Sequence, residues 1–407
     1  MIIGIDASRA VAKRKTGTEI VAEQIIYHLS KIDHDNQYIL FSESAPEKGS
    51  LLEKLPKNFK WRIIPFGYLW TQVRLSWEML FWKDKLDILF VPSHTIPIIH
   101  PQKTVVTIHD FGFEYSPELY AQIPIGPNNK IIRFLLNLAI RIFTLGKYGN
   151  SEYDYHRFAM HHAIDHATNL IAVSKFTKND AVKLYHANPD KIAVIYHGFN
   201  KNQFKPLNEL SKKEQEISEN LTKKFKPYLF FVGRIEKKKN IMRLLKAFVN
   251  LKKEKGISEK LVLAGMPGLG YDEIKKFISN QTENIQKDII ELGYVAQEDL
   301  PRWFQNAQVY VFPTLFEGFG IPVIEAFASG TSVVCSNTTS LPEISQGAAI
   351  LVNPKNINDI STGIYKIIND KNLKNRLIKE GLAKSKQFSW EKAARQTLEV
   401  IKKTIND

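Results

Sequence analysis

Cysteine is almost absent: Cys335 is the only one in 407 residues, which excludes a disulfide framework and a metal site built from several thiolates. It lies in the apolar run from Thr331 and reads as a small buried side chain in a reducing compartment, so the cytoplasm is the expected location. No run of about 18 uncharged apolar residues occurs, and nothing is expected to span a bilayer. The N-terminus enters the strand-like run Ile2–Asp6 directly, with no basic stretch leading a cleavable apolar segment, so secretion is not expected. Short-period repeats and low-complexity tracts are also missing. Acidic residues are the minority, 42 Asp+Glu against 56 Lys+Arg, for a formal net charge of +14. Residues 201–250 hold 13 Lys/Arg and 5 Asp/Glu, whereas Arg302 is the one basic side chain in 301–350. That excess fits a solvated Lys-rich face, or attraction to nucleotides, lipid head groups or nucleic acid. No nucleic-acid motif is present, so nucleic acid is not an expected partner.

What is present is a globular composition, 44% hydrophobic and 24% charged. The length suits two α/β domains of roughly 200 residues each. Ile2–Asp6, Tyr38–Phe41, Trp61–Pro65, Ile88–Val91, Thr104–Ile108, Leu170–Val173 and Ile192–Ile195 read as buried strands separated by helical patterns. The polar stretch Asn200–Lys226 reads as a linker carrying a solvated helix. A second series follows at Tyr228–Val232, Lys260–Ala264, Ile289–Leu292, Val309–Phe312, Ser332–Cys335 and Ala349–Val352. The expected fold is α/β, two tandem Rossmann-like doubly wound domains over 1–205 and 206–388. A final helix within 389–407 packs back on one of them, with the first domain favoured.

Four features point to chemistry. The segment FEGFGIPVIEA, Phe316 to Ala326, follows the strand Val309–Phe312 and opens a helix with Pro322 in its first turn. Gly318 and Gly320 permit close backbone approach, and Glu317 and Glu325 fall near the carboxyl edge of the sheet. Two carboxylates there suit vicinal hydroxyls, as in sugars and ribose, although an acidic pair can also simply cap a helix. Gly233, Arg234 and the run Lys237 to Lys239 follow the first strand of the second series. An arginine fork and a lysine suit a diphosphate, the alternative being a solvated charge run. His109 and Asp110 end the strand Thr104–Ile108, where Asp110 could equally cap the next segment. The loop holding Gly17 follows the first strand like a phosphate cradle.

In this order the four features strongly resemble the retaining glycosyltransferases of family 4, which have the GT-B fold, two Rossmann-like domains facing a cleft. The resemblance covers nearly the whole chain, and the Glu, seven residues, Glu pattern around Gly-Phe-Gly-Ile-Pro is specific to it. It implies that Glu317 and the backbone of Gly318, Phe319, Gly320 and Ile321 hold the transferred sugar. Glu325 would hold the ribose, Val295 would meet the base, and Arg234 and Lys239 would grip the diphosphate beside Gly233. Gly17 would add an amide and His109 would lie near donor sugar and acceptor. The first loop departs from the paired glycines frequent in the family, since Thr16 and Thr18 flank Gly17. The implied reaction moves a hexose, mannose or similar, from a UDP- or GDP-sugar to a glycan or lipid-linked glycan in cell-surface polysaccharide synthesis, with retention. No metal is expected, because Arg234 and Lys239 would take its place; Asp33-His34-Asp35 reads as a solvated turn. A GT-B sugar phosphorylase, a nucleotide-sugar epimerase and a basic nucleic-acid-binding protein are the alternatives.

Residues 130–147 leave two readings open. Arg133, Asn137 and Arg141 recur every four residues amid apolar neighbours. Either they are the narrow wet face of a buried helix, or the helix makes a peripheral membrane contact near a lipid-linked acceptor. The aromatic stretch 66–82 reads as core or domain wall; if it were a sugar platform, Trp70 and Arg74 would form it.

Overall fold

The computed structural model describes every residue except 14, 66–69, 122–123, 126–128 and 407, and only the backbone of Ala121, Leu135, Leu136, Ala139 and Phe143. Two compact units emerge: Met1–His197 with the C-terminal stretch from Trp390, and Gly198–Ser389. The chain passes from one to the other at 197/198 rather than 205/206. The intervening residues belong with the second unit because Phe204 packs on Phe304 and Gln305 donates to the Lys205 carbonyl at 2.8 Å.

The first unit contains β1 (Ile2–Asp6), β2 (Gln37–Ser42), β3 (Phe59–Ile63), β4 (Ile88–Val91), β5 (Thr104–Ile108), β6 (Asn169–Ala172) and β7 (Ile192–Val194). They form one parallel sheet in the order β3-β2-β1-β4-β5-β6-β7. The second unit contains β8 (Tyr228–Val232), β9 (Lys260–Ala264), β10 (Ile289–Gly293), β11 (Val309–Phe312), β12 (Val333–Ser336) and β13 (Ala349–Val352), ordered β10-β9-β8-β11-β12-β13. Central strands such as β4, β5, β11 and β12 are buried along their whole length, as a parallel sheet covered on both faces requires. The edge strand β3 instead exposes Lys60 and Arg62, charges that discourage pairing with another chain. Every strand expected from the sequence is present, with ends shifted by two residues or fewer.

Each strand order reverses once, between β1 and β4 and between β8 and β11. At such a switch point neighbouring loops leave the sheet in opposite directions, opening a crevice beyond the strands' carboxyl ends. The loops after β8 and β11 therefore define the place to look in the second unit.

Two expectations change, and the last helix takes the favoured place. The helix Lys212–Thr222 is no free linker: buried Ser218 donates to Gln305 at 2.9 Å and accepts from Asn306 at 2.8 Å. The last helix, Trp390–Asn406, lies on the first unit, where Lys103 and Asn169 reach its C-terminal turn. The helix Lys130–Phe143 is not a buried helix with a wet stripe. Arg133 and Asn137 are half-buried on the protein side, while Ile131, Phe134, Leu138 and Ile142 face solvent.

Candidate active site

The loop from Gly233 to Asn240 is fixed by its backbone before any side chain is considered. It runs beside the loop after β9: Gly233 N donates to Ala264 O at 2.9 Å, Ile235 N to Met266 O at 2.9 Å and Lys237 N to Leu269 O at 2.9 Å. The approach is so close that a Cβ on Gly265, whose φ is +148°, would lie 1.8 Å from the Gly233 carbonyl oxygen. Only glycine fits there. Asn240 closes the loop in the left-handed conformation, φ 60°. Its buried amide donates to Pro313 O at 2.8 Å and Pro354 O at 2.7 Å, and its oxygen accepts from Arg243 at 3.0 Å. Asparagine tolerates this backbone and satisfies carbonyls of two other loops at once. The short turn Lys237–Lys239 is thereby clamped against the loop after β11.

Across the switch point, the loop Pro313–Gly320 leads to the helix Ile321–Ala328, whose N-cap is Gly320 at φ +98°. A Cβ at Gly320 would strike Leu341 Cδ2 at 2.6 Å. Ser340 donates to the carbonyls of Glu317 at 2.9 Å and Phe319 at 3.1 Å, and Glu317 N donates to Thr339 Oγ1 at 3.3 Å. These bonds pin the Gly-Phe-Gly turn and direct the Glu317 carboxylate to the Lys239 side, where Lys239 Nζ meets Oε1 at 2.6 Å. Both side chains are mostly shielded. A carboxylate and an ammonium so placed at the switch point present complementary groups to a sugar hydroxyl and an adjoining phosphate.

The other two members of the expected set make contacts of their own. Arg234 is largely exposed and points to Glu236, 3.6 Å away. Glu325 is 5% exposed on the helix, and burial pushes its carboxyl up to about 8 against the opposing influence of the nearby Gln297 side chain. Gln297 belongs to the loop after β10 that also carries half-buried Val295, so the loop expected at the base comes near the helix that holds Glu325. Gln297 carried no motif in the sequence. Neither did Ser340 as a side-chain donor. Tyr310 of β11 is fully buried with no partner for its hydroxyl, and burial, Glu317 and Glu325 all raise its phenol.

In the first unit, Gly17 is the first residue of the helix Gly17–Ile32, and a Cβ there would meet nothing within 4 Å. The preceding amide, Thr16 N, donates to Glu19 at 3.1 Å, and Arg9 lies 3.4 Å from the same carboxylate. The chain's own acid thus caps this turn. His109 Nε2 sits 2.9 Å from the Pro92 carbonyl. A carbonyl only accepts, so Nε2 carries the proton and Nδ1 is left as an acceptor. Burial lowers the imidazole below its usual range and keeps it neutral. Asp110 accepts from Gly112 N at 2.8 Å, the capping role. A pair the sequence did not mark, His94 and His156, meets at 2.9 Å, with Glu152 3.6 Å from His156 and Phe113 stacked on it.

Other candidates resolve into structure. Trp70 is buried and donates to Ile64 O at 3.1 Å, and Arg74 pairs with Glu78 at 3.1 Å, so these two do not form a platform; residues 66–69 lie outside the described part. Asp33 is buried, accepting from Asn36 Nδ2 at 2.6 Å. Among the described residues no group of three or more His, Cys, Asp or Glu is disposed to hold a metal ion, and no helix is long and apolar enough to cross a membrane.

Comparison with known proteins agrees with the two-unit α/β fold. The sequence model of Glycosyltransferase Family 4 matches residues 15–203, and that of Glycosyl transferases group 1 matches 212–384. O-antigen chain mannosyltransferase B of Escherichia coli is 29% identical over 75% of this chain and 78% of its own. The O-antigen chain mannosyltransferase RfbU of Salmonella typhimurium is 26% identical over 72% of this chain and 68% of its own. Sucrose-phosphate synthase of Thermosynechococcus elongatus superposes with TM-score 0.72 at 17% identity, covering 99% of this chain and 98% of that one. HepE of Anabaena in complex with UDP-glucose gives 0.69 at 16% identity, covering 99% of both chains. Two parallel α/β units, the Lys239–Glu317 pair at the second unit's switch point and both matching models lead to one assignment: the chain is a glycosyltransferase of family 4 with the GT-B fold.

Proposed function

We propose that the enzyme transfers a hexose, mannose in the first instance, from a UDP- or GDP-sugar to a glycan or lipid-linked glycan during synthesis of a cell-surface polysaccharide, in the cytoplasm. The observation that carries this is the 2.6 Å Lys239–Glu317 pair. The β-phosphate and the transferred sugar of a nucleotide sugar share one bridging oxygen, so their ligands must be neighbours. An ammonium touching a carboxylate meets that demand. The mannosyl assignment and the glycan acceptor rest on the two O-antigen relatives.

In the reaction we assign, the acceptor oxygen bonds to the anomeric carbon as the bond to the β-phosphate oxygen breaks. The acceptor's proton passes to the departing phosphate, and attack on the same face retains configuration. Lys239 and Arg234 offset the charge developing on the diphosphate, each charge-assisted contact contributing about 1.5–3 kcal/mol. Glu317 and the 318–321 backbone hold the sugar, Glu325 the ribose, and Val295 the base. In the first unit, Gly17 and neutral His109 are the groups that the family resemblance assigns to the reaction. With cations in these positions no divalent metal is needed.

The test is a panel of UDP- and GDP-sugars scored by slow donor hydrolysis and thermal shift, with and without EDTA. One nucleotide sugar should stabilise the protein and be hydrolysed with EDTA present. Loss of hydrolysis in EDTA would remove the metal-independent reading, and a glycosyl group trapped on Glu317 would replace it with a double-displacement mechanism. Turnover only with free phosphate as acceptor would indicate a phosphorylase.

A further inference from the structure

The helix Lys130–Phe143 is built inside out. Asn129 caps it, accepting from Ile131 N at 2.9 Å and Ile132 N at 3.2 Å, so the element begins as an ordinary amphipathic helix. Two of its three polar positions nevertheless turn inward: Arg133 and Asn137 are half-buried, and a Cβ on Gly149 would lie 3.6 Å from Asn137 Oδ1, whereas Arg141 stays exposed. The opposite stripe, Ile131, Phe134, Leu138, Ile142 and Leu145, points to solvent with exposures from 46% to 95%. At 100° per residue those five positions occupy one narrow arc, as an apolar face meant for burial does. Leu145 extends the stripe past the helix end in the left-handed conformation, φ 50°, which a branched side chain seldom adopts. A fully exposed leucine held in that backbone gains nothing from water. It needs something to enter.

Charge says what covers this face. From residue 119 to residue 151 the chain has no Asp or Glu but carries Lys130, Arg133, Arg141 and Lys147. Lys130 and Arg141 are exposed and flank the apolar stripe on one side of the helix. A second copy would bring the same positive charge against it. An anionic bilayer supplies both missing partners, acyl chains for the stripe and head-group phosphates for the flanking cations. We propose that Lys130–Leu145 docks the first unit on the surface of an anionic membrane, lying in the interface plane with Phe134 and Ile142 inserted. The segment would hold the enzyme beside acceptors carried by that membrane.

Co-sedimentation with vesicles tests this on the full chain, comparing phosphatidylcholine alone with a phosphatidylcholine–phosphatidylglycerol mixture. The wild type should pellet with the mixed vesicles at low salt and be released as salt rises. The double variant Phe134→Ser/Ile142→Ser should bind about tenfold more weakly while keeping the wild-type melting temperature, because both side chains are exposed. Arg141→Glu keeps the apolar stripe and should lose the preference for the anionic lipid. Failure of the wild type to bind the mixed vesicles would overturn the proposal, as would undiminished binding by the double variant. A wild-type dimer that this variant disperses would also overturn it, in favour of a second copy. Vesicle binding requires neither a nucleotide sugar nor turnover, so it and the proposed reaction can fail independently.

Discussion

Replacing Glu325 with glutamine keeps the side chain's size and an oxygen and nitrogen for Gln297 while removing its ability to ionise. Burial raises the Glu325 carboxyl from 4.5 to about 8. Between those values the folded chain holds a proton that the unfolded chain has released. Stability must then fall as pH rises through this window, by up to about 1.4 kcal/mol per pH unit, and level off above pH 8. Summed over the window the bound is on the order of 5 kcal/mol, an upper figure because relaxation and water entry reduce it. Glu325→Gln lacks this dependence. Its melting temperature should match the wild type near the acidic end and exceed it increasingly toward pH 8, by about 2–4 °C for each kcal/mol in a domain of this size. Above pH 8, where wild-type Glu325 is ionised, the same variant should bind the nucleotide sugar less well, because an amide offers one acceptor oxygen to a ribose diol where a carboxylate offers two. The loss expected is about tenfold to a hundredfold, or 1.5–3 kcal/mol. Thermal melts across the pH range, with and without donor, read both effects. A stability gap that does not change with pH would refute the buried-acid reasoning.

Gly265→Ala places a methyl group 1.8 Å from the Gly233 carbonyl at a backbone angle alanine resists, so it should destabilise the second unit by about 3 kcal/mol or more in urea melts. Gly17→Ala, with open space around it, should leave stability within about 1 kcal/mol of the wild type or raise it. His109 is neutral because burial lowers its pKa; activity dependent on it should hold as pH rises above neutrality and fall only on acidification, and His109→Ala should remove that acid limb from the pH–rate profile. Arg234→Ala should raise KM for the donor with little change in melting temperature, because the side chain is mostly exposed.

The sheets were legible because parallel strands buried on both faces leave continuous apolar runs, and β11 and β12 are such runs. The Glu317–Glu325 segment was legible because strand, glycine turn, proline and helix follow one another directly. What escaped the sequence depends on contacts between distant segments. Asn240 joins loops 73 and 114 residues away, and His94 meets His156 across 62 residues, with no spacing rule to announce either. The convergence of Glu325 and Gln297 likewise needs two helices and a strand to be placed first. The helix at 130–143 shows a different limit. Periodicity revealed its two stripes but not which one faces the protein, since the usual rule assigns the apolar stripe inward and here it is reversed.

Lys239 offers the most direct check on the site. Lys239→Met keeps much of the side chain's bulk while removing the charge that meets Glu317. Equilibrium titration of wild type and variant with the nucleoside mono- and diphosphates of the preferred base separates recognition of the second phosphate from recognition of the nucleoside. The wild type should favour the diphosphate strongly, and the variant should lose most of that preference while binding the monophosphate much as before. An undiminished preference in the variant would mean that this lysine does not hold the diphosphate.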